Sequence, residues 1–423
     1  MRNPKRFALL VFAVAFALRL AAAWMNGAFR SGELRPGTEV ELIAASVAGT
    51  GVYGNPYYPM PTGPTAHATP VYPLYLAGLY ALFGTGALSA VLRVVITSAV
   101  SSLRCALLPL FALDVGLGRV AAVLAAVLGI FYIGAVTTEV QGHTDGAWLA
   151  LTILVLVWWT LRIWQDGRWQ QRTPWMFFVF CGFCALLNPA TLPVIGAFAA
   201  AGAIACPAAF RKRYLRQAAL LALTIVMCLL PWAIRNSISL GKVIWTRSNF
   251  GLEFWLSNGP GREFDLPSNI GFGEHTVEHP SFNREEAGRV LAAGEVRYNQ
   301  QRLEETLEWV RDNPADFAGM TLRRILAWWF PPRNPVLVAI KLVLTLLAFA
   351  GLWLLFRSQP PVAWLFLLTW VTFPDVYYVI QWSSRYRLPM DWQLVLCASV
   401  TLGAAWSLIA RKAGRPALIA ASG

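Results

Sequence analysis

Charge is scarce in this chain, and acidic charge is the scarcer kind. Asp, Glu, Lys and Arg make up only 13% of its 423 residues, and 22 acidic residues stand against 35 basic ones. Soluble globular domains carry about 25% charged residues, so this composition excludes an ordinary soluble domain. Hydrophobic residues instead reach 57%. The sequence predicts an all-α polytopic membrane protein.

Cysteine is also sparse, and it is confined to apolar segments. None of the six cysteines falls in a predicted outer loop, which excludes a disulfide framework: Cys105, Cys181, Cys184, Cys206, Cys228 and Cys397. Cys181 and Cys184 form a CxxC pair, but they lie among Phe and Leu in a helical stretch. We expect them to be packing residues and not a metal or redox pair.

About ten apolar stretches are predicted to cross roughly 30 Å of hydrocarbon. They cover residues 7–25, 88–113, 120–136, 146–161, 175–187, 191–205, 218–232, 336–356, 362–380 and 392–410. Residues 74–83 are apolar but shorter and end at Gly84. That segment is predicted to be an interfacial helix on the outer membrane surface.

Charge is distributed asymmetrically about these stretches. With the N-terminus in the cytoplasm, the inner segments hold 15 Lys and Arg but only two acids, Asp114 and Asp166. The positive-inside rule therefore predicts that both termini are cytoplasmic. The first apolar run also resembles a cleavable signal peptide, but cleavage would leave an odd number of spans and place the basic tail outside. Anionic lipids account for the net charge of +13, so we expect membrane lipids and no nucleic acid as partners.

The loop lengths suggest three parts. Residues 1–233 are predicted to form an N-terminal transmembrane module with a catalytic first outer loop at 26–87. Residues 234–332 are predicted to form an extracytoplasmic helical loop domain, with two or three small helices on the outer face. Residues 333–423 are predicted to form the C-terminal transmembrane helices.

Two acids open a helical stretch in the first outer loop. Glu39 and Glu41 precede an Ala-rich run, with Thr38 in the N-cap position. Residues two apart on a helix face different directions, so only one of these carboxylates can enter a shared cavity. The alternative is that both are only first-turn acids favoured by the helix dipole.

Two shorter outer elements place charge beside apolar spans. Glu139 and Asp145 lie at a membrane boundary, where acids are costly unless a cavity or a cation receives them; simple helix ends are the other explanation. Arg385 and Arg387 are the cations between the last two spans and can meet an anion from the outer leaflet. His275 and His279 lie four apart without a third ligand nearby, so we expect solvated loop histidines and no metal site.

Four stretches resemble the GT-C membrane glycosyltransferases, in particular the dolichyl-phosphate-mannose protein mannosyltransferases and the lipid A aminoarabinose transferases. They are the first-loop acid followed by residues 43–46 (IAAS), residues 62–67 (TGPTAH) leading into 70–76 (PVYPLYL), residues 231–236 (PWAIRN) with 247–251 (RSNFG), and residues 385–389 (RYRLP). Their order and topology agree over about residues 7–410. The joint occurrence of these stretches carries the resemblance.

The resemblance implies sugar transfer from a polyprenyl-phosphate donor to an acceptor hydroxyl, with inversion at the anomeric carbon. The reaction would take place at the outer face of the cytoplasmic (inner) membrane, on a glycan, lipid or protein acceptor. The acceptor hydroxyl must lose a proton, which requires a carboxylate as general base. Glu39 is the first candidate, and Asp145 and Glu41 remain open.

The departing lipid phosphate gains negative charge, which fixed cations in a water-poor pocket stabilise. Arg385 and Arg387 are the leading candidates for that role, followed by Arg235 and Arg247. The cavity is further predicted to include four other side chains: Glu41, His67, Tyr72 and Glu139. A donor with a single phosphate needs no nucleotide-binding fold and no obligatory metal, so we expect no cofactor.

A polytopic lipid or glycolipid transporter (flippase) is the alternative function. It would explain ten spans and outer-face arginines without any chemistry. Such carriers commonly show internal repeats, and the two halves of this sequence show none. An assembly subunit that only binds partners is a third possibility, but it does not account for acids and arginines that converge on one membrane face.

Overall fold

The computed structural model describes residues 3–30, 34, 37–132, 134, 136, 139–167, 172–271, 278–331 and 335–412. Across these residues the protein is helical, and its β pairing is limited to two isolated bridges, one of which joins Gly54 to Pro64. The predicted all-α membrane fold is confirmed at this level. A chain that must satisfy its backbone groups in hydrocarbon does so most simply within helices.

Seventeen α-helices are described, and they are numbered here in chain order. They are α1 Pro4–Met25, α2 Glu39–Thr50, α3 Val71–Phe83, α4 Ala87–Asp114, α5 Gly118–Ile130, α6 Gly146–Asp166, α7 Trp175–Leu187, α8 Thr191–Ala205, α9 Ala208–Leu240, α10 Phe250–Ser257, α11 Leu266–Gly271, α12 Arg284–Ala293, α13 Glu295–Asp312, α14 Pro314–Trp329, α15 Pro335–Ser358, α16 Pro360–Thr372 and α17 Ser384–Lys412.

Among the described helices, six are long and apolar enough to cross a membrane: α1, α4, α6, α9, α15 and α17. The other four predicted spans fold as α5, α7, α8 and α16, which have 13 to 15 residues. At about 1.5 Å per residue these helices extend only about 20 Å. The count of ten spans, the cytoplasmic termini and the domain boundaries therefore stay predictions.

The membrane core is built from aromatic and aliphatic side chains of several helices. Phe111 of α4, Phe366 of α16 and Trp392 of α17 meet with ring centroids 5.5 to 6.2 Å apart. Along the rest of the bundle, α15 packs against α17 and α1 packs against α4. The Trp392 contacts hold α17 close to its first turns, where the RYRLP stretch lies.

The first outer loop folds back on itself before it enters α3. Asn55 and Gly63 exchange hydrogen bonds, and the Tyr53 hydroxyl donates to the Ala68 carbonyl at 2.9 Å. Asn55 has a positive φ of 56°, a conformation that Asn tolerates in turns. The loop thereby brings His67 and the start of α3 next to α2.

The segment between α9 and α15 contains five described helices, α10 to α14, more than the two or three predicted. The composition of residues 284–310 predicts a continuous helix, but the helix is interrupted at Gly294, whose φ of 79° lies outside the right-handed helical range. Asn283 caps α12 by accepting hydrogen bonds from Glu285 N and Glu286 N. The break turns α13 across α10, so that the two helices pack together.

Candidate active site

A cavity of about 380 Å³ lies between the loop that leads into α3 and the ends of several membrane helices, among them the first turns of α6 and α17. Its walls come from the start of α2, the entry to α3, the segment before α6, the α7–α8 link, residues 246–253 and the outer end of α17. Charged side chains in its lining are Glu39, Asp145, Arg247, Glu253 and Arg385, and two histidines, His67 and His143, lie among them. Both signs of charge therefore meet in one recess.

Glu39 reaches the cavity from the first turn of α2. The Ser281 hydroxyl donates to Glu39 Oε1 at 2.5 Å, and His279 Nε2 lies 3.9 Å from the same oxygen. The backbone N–H of Ser281 donates to His279 Nδ1 at 3.0 Å, which places the imidazole proton on Nε2, the nitrogen that faces Glu39. One carboxylate oxygen is thus held by the Ser281 hydroxyl, with the His279 imidazole next to it but beyond hydrogen-bond distance.

His279 differs from the expectation of a solvated histidine. Its side chain is buried, and burial lowers its pKa to about 4. His275, its proposed neighbour in that loop, lies outside the described residues. Within the described part of the chain, no group of three or more His, Cys, Asp and Glu side chains is arranged to hold a metal ion.

Glu41 faces away from the cavity, as the two-residue spacing on α2 requires. Its Oε1 lies 2.6 Å from Arg93 Nη1 of α4 and 2.5 Å from His143 Nδ1. The carboxylate is almost fully buried. Glu41 was predicted to line the cavity, and this prediction is wrong. Its carboxylate pairs instead with the buried Arg93, away from the cavity.

Asp145 lies across the cavity at the start of α6. Asn188, in the α7–α8 link, donates to Asp145 Oδ2 at 2.9 Å. Arg247 Nη2 is 3.9 Å from the same oxygen. This carboxylate is already oriented by an amide and partly neutralised by a guanidinium, which suits a positioning role more than proton abstraction.

The four predicted phosphate-binding arginines divide into two pairs. Arg247 and Arg385 line the cavity. Arg387 does not: it is buried, its Nε lies 2.7 Å from Asp391 Oδ1, and its Nη1 donates to the Trp328 carbonyl at 2.8 Å. The i,i+2 spacing of Arg385 and Arg387 on α17 turns their side chains apart.

Arg235 is also engaged away from the cavity lining. It donates to the Thr65 carbonyl at 2.5 Å and to the Tyr53 carbonyl, and it stacks on the Tyr53 and Trp232 rings at 5.0 and 5.1 Å. These contacts hold the first outer loop onto α9. The placement of Arg235 differs from its predicted role because backbone carbonyls of the loop take its donors.

Two of the predicted cavity residues, His67 and Tyr72, do line the cavity. Burial lowers the pKa of His67 to about 4, so this imidazole is neutral at pH 7. The Tyr72 hydroxyl donates to the Gly142 carbonyl at 2.5 Å and so fixes the segment that leads to Asp145. A neutral imidazole at the cavity wall can act as a hydrogen-bond donor or acceptor.

Glu139, the remaining predicted cavity residue, lies outside the lining. It pairs with Arg104 through contacts of 2.7 and 3.0 Å and accepts a hydrogen bond from Ser101 at 2.7 Å. Ser101 also accepts from Arg19 of α1 at 2.8 Å. Glu139 therefore ties the segment before α6 to α4 and, through Ser101, to α1.

Sequence reasoning missed Glu253, which enters the cavity from α10. Burial and, secondly, the charge of Glu39 raise its pKa to about 7, while Arg385 and Arg247 oppose the shift. In the sequence Glu253 is an unremarkable acid within the apolar run 250–256. An acid in such a run is a signal of burial, but it does not reveal which residues surround it.

The described helices, six of which are long and apolar enough to cross a membrane, define a helical polytopic membrane protein. No protein-family model matches the sequence, and no curated protein matches it. Among solved structures, the chain is similar to the archaeal oligosaccharyltransferase AglB from Archaeoglobus fulgidus, determined with an inhibitory peptide and a dolichol-phosphate. The TM-score is 0.53 at 14% identity, and the match covers 96% of this chain but 51% of that one.

The chain thus spans about half the length of that transferase. At this low identity the similarity concerns the fold alone. It confirms the resemblance to GT-C transferases at that level.

Proposed function

We propose that this protein is an inverting glycosyltransferase that moves a sugar from a polyprenyl-phosphate donor to an acceptor hydroxyl at the outer face of the cytoplasmic membrane. The observation that carries the proposal is the convergence of Glu39 and Asp145 with Arg247 and Arg385 on one cavity at the outer ends of the membrane helices. The AglB structure, which contains a dolichol-phosphate, supports a lipid-linked donor.

Glu39 is the proposed general base. It is a carboxylate at the cavity wall, and the Ser281 hydroxyl holds one of its oxygens, 3.9 Å from His279 Nε2. The other oxygen can accept the proton of an acceptor hydroxyl as that hydroxyl attacks the anomeric carbon. Asp145, oriented by Asn188, is proposed to align the acceptor.

Arg247 and Arg385 are proposed to bind the donor phosphate. Charge develops on the oxygen that leaves the anomeric carbon, and fixed guanidinium groups stabilise it without reorganisation during the reaction. A single phosphate can be neutralised by two guanidinium groups, so the proposed reaction requires no metal. We expect transfer to be unchanged by EDTA; a large loss that a divalent ion restores would contradict this.

The test is radiolabelled sugar transfer in proteoliposomes from a panel of polyprenyl-phosphate sugars, with wild type and Glu39→Gln compared at equal folded amounts. We expect transfer to fall by about 100-fold or more in the variant while donor binding is retained. Glu285→Gln, on the exposed side of α12, is the matched control and should transfer like wild type.

Other outcomes point elsewhere. Unchanged transfer in Glu39→Gln would move the base to Asp145. Absence of transfer from every donor, together with lipid movement between leaflets, would favour a flippase and overturn the proposed function.

A further inference from the structure

The proposed donor side of the cavity contains a carboxyl group as well as two guanidinium groups. Glu253 lines the same recess as Arg247 and Arg385, and it interacts electrostatically with both. Arg247 comes from the segment before α10, Glu253 from α10 itself and Arg385 from the outer end of α17. The three side chains therefore meet from separate parts of the fold.

This arrangement poses a charge problem for an anionic donor. An ionised Glu253 would repel a sugar phosphodiester and would neutralise the arginines that are to bind it. Glu39, which must be ionised to act as a base, adds a second negative charge nearby. A phosphate can bind favourably beside Glu253 when the Glu253 carboxyl group is protonated.

We propose that Glu253 works as the general acid of the transfer reaction: in its protonated form it donates a hydrogen bond to the donor phosphate and then gives its proton to the departing polyprenyl phosphate. The assignment rests on the proposed function, because it requires a phosphate-linked donor in this cavity. It adds a third participant to the base and the arginines.

The step balances without any co-reactant. The acceptor oxygen forms a bond to the anomeric carbon as the bond between that carbon and the phosphate oxygen breaks, and both electrons of the broken bond go to the phosphate oxygen. The acceptor proton passes to the Glu39 carboxylate. The Glu253 proton passes to the polyprenyl phosphate, which leaves as the monoanion.

The acidities suit such a transfer. Burial raises the pKa of Glu253 to about 7, so a large fraction of the carboxyl groups is protonated at neutral pH. A phosphate monoester has a second pKa of about 6, close enough for the proton to be shared or transferred during bond cleavage. An acid whose pKa lies near the working pH is the most effective general catalyst.

Among the described residues, Arg247 and Arg385 are the cations that act on Glu253, and Asn249 Nδ2 donates a hydrogen bond to Glu253 Oε1 at 3.4 Å. The titratable groups that interact electrostatically with Glu253 are Glu39, Arg247, Arg385, Tyr57 and Tyr386. On α13, which packs against α10, Glu295 accepts hydrogen bonds from Thr65, Ala66 and Ser248, and Arg302 pairs with Glu286 and Glu305. The charges of Glu295 and Arg302 are thus satisfied by partners other than Glu253.

The experiment measures proton uptake on binding of a phosphodiester by the full-length protein in nanodiscs. Farnesyl methyl phosphate is the probe, because a diester keeps one negative charge over the whole pH range used. Calorimetry at pH 8 in two buffers of different ionisation enthalpy gives the number of protons taken up. Wild type, Glu253→Gln and the exposed control Glu285→Gln are compared.

We expect wild type and Glu285→Gln to take up close to one proton per bound diester at pH 8, and Glu253→Gln to take up none. Because the diester prefers protonated Glu253, wild-type affinity should weaken up to about tenfold for each pH unit above 7. The Gln variant should bind equally well from pH 6 to 9. Its transfer rate should nevertheless fall by about 100-fold, since Gln has no proton to give.

The outcomes separate the two proposals. Diester binding without proton uptake in wild type, or with equal uptake in Glu253→Gln, would overturn the role of Glu253 and leave the donor site intact. If Glu253→Gln does not fold, a flat wild-type affinity between pH 7 and 9 overturns it by itself. Failure of the diester to bind at any pH would overturn the proposed donor site and this inference with it.

Discussion

Arg93 and Glu41 form an ion pair that is nearly sealed from solvent, with Nη1 and Oε1 2.6 Å apart. His143 Nδ1 contacts the same carboxylate oxygen at 2.5 Å. One carboxylate therefore joins α2, which presents Glu39, to α4 and to the segment that presents Asp145. Glu41 does not line the cavity, but its contacts fix the position of Glu39 relative to Asp145.

Loss of this pair should destabilise the protein. In Glu41→Ala the carboxylate that neutralises Arg93 is gone, and removal of one partner of a buried ion pair typically costs about 3–5 kcal/mol. Thermal unfolding of the purified protein should show a clear drop. Glu285→Ala, which breaks an exposed pair with Arg289 on α12, should change stability by less than about 1 kcal/mol. Equal effects of the two substitutions would contradict the assignment.

Arg385 and Arg387 should respond differently to the same substitution. Arg385→Gln removes a cation from the cavity, so kcat/KM should fall by about 100-fold with little change in unfolding temperature. Arg387→Gln leaves the buried Asp391 without its 2.7 Å partner and should mainly lower stability. Transfer assays and thermal unfolding on both variants decide the matter. An Arg387→Gln protein that is fully stable but inactive would restore Arg387 to the donor site.

Gly251 should be intolerant of a side chain. A Cβ at this position would lie 1.9 Å from the Asn299 backbone carbonyl oxygen, so Gly251→Ala must push α10 away from α13. Glu253 and Arg247 flank this contact, and we expect both lower stability and lower transfer. Gly288→Ala is the matched control, because nothing lies within 4 Å of its Cβ and the helix gains from the change. A silent Gly251→Ala would mean that the α10–α13 contact is looser than described.

The two buried histidines should make the outer region sensitive to acid. Burial lowers the pKa of both His67 and His279 to about 4, against 6.5 for an exposed histidine. Below pH 6.5 the unfolded chain binds more protons than the folded one, so stability is full above pH 6.5 and declines as the pH falls towards 4. The slope is up to about 1.4 kcal/mol per pH unit for each histidine.

His279→Asn isolates one of these contributions, because the Asn side-chain oxygen can replace Nδ1 as acceptor for Ser281 N. Unfolding temperatures measured between pH 5 and 7.5 should fall less steeply for this variant than for wild type. Identical slopes would show that His279 takes up protons equally in the folded and unfolded protein, so that folding does not lower its pKa.

The sequence predicted much of the membrane architecture because hydrophobicity and helix length obey local rules. It placed α1, α4, α6 and α15 within a few residues, and it identified α3 as a short helix ending before Gly84. It did not anticipate that residues 284–310 would divide at Gly294. A single glycine in a polar helical run is compatible with either outcome until the packing of α13 against α10 is known.

The cavity was harder to predict because charged side chains choose partners far away in the sequence. The helix geometry of α2 correctly required the side chains of Glu39 and Glu41 to point in different directions. No local pattern predicts that Glu41 contacts Arg93, which lies 52 positions away in the sequence. For the same reason Glu253 was not predicted as a cavity residue, and His279 was expected to be exposed to solvent. Their burial depends on the folding of the outer helices over the first loop.

The shortness of α7 and α8 has a consequence for the surrounding lipid. These helices meet at Asn188, beside Asp145, and with 13 and 15 residues they extend about 20 Å each. Against roughly 30 Å of hydrocarbon, such a hydrophobic mismatch is relieved when the adjacent bilayer thins. We expect the outer headgroup layer to dip next to the cavity, so that a lipid-borne phosphate reaches the arginines with little of its chain leaving the membrane.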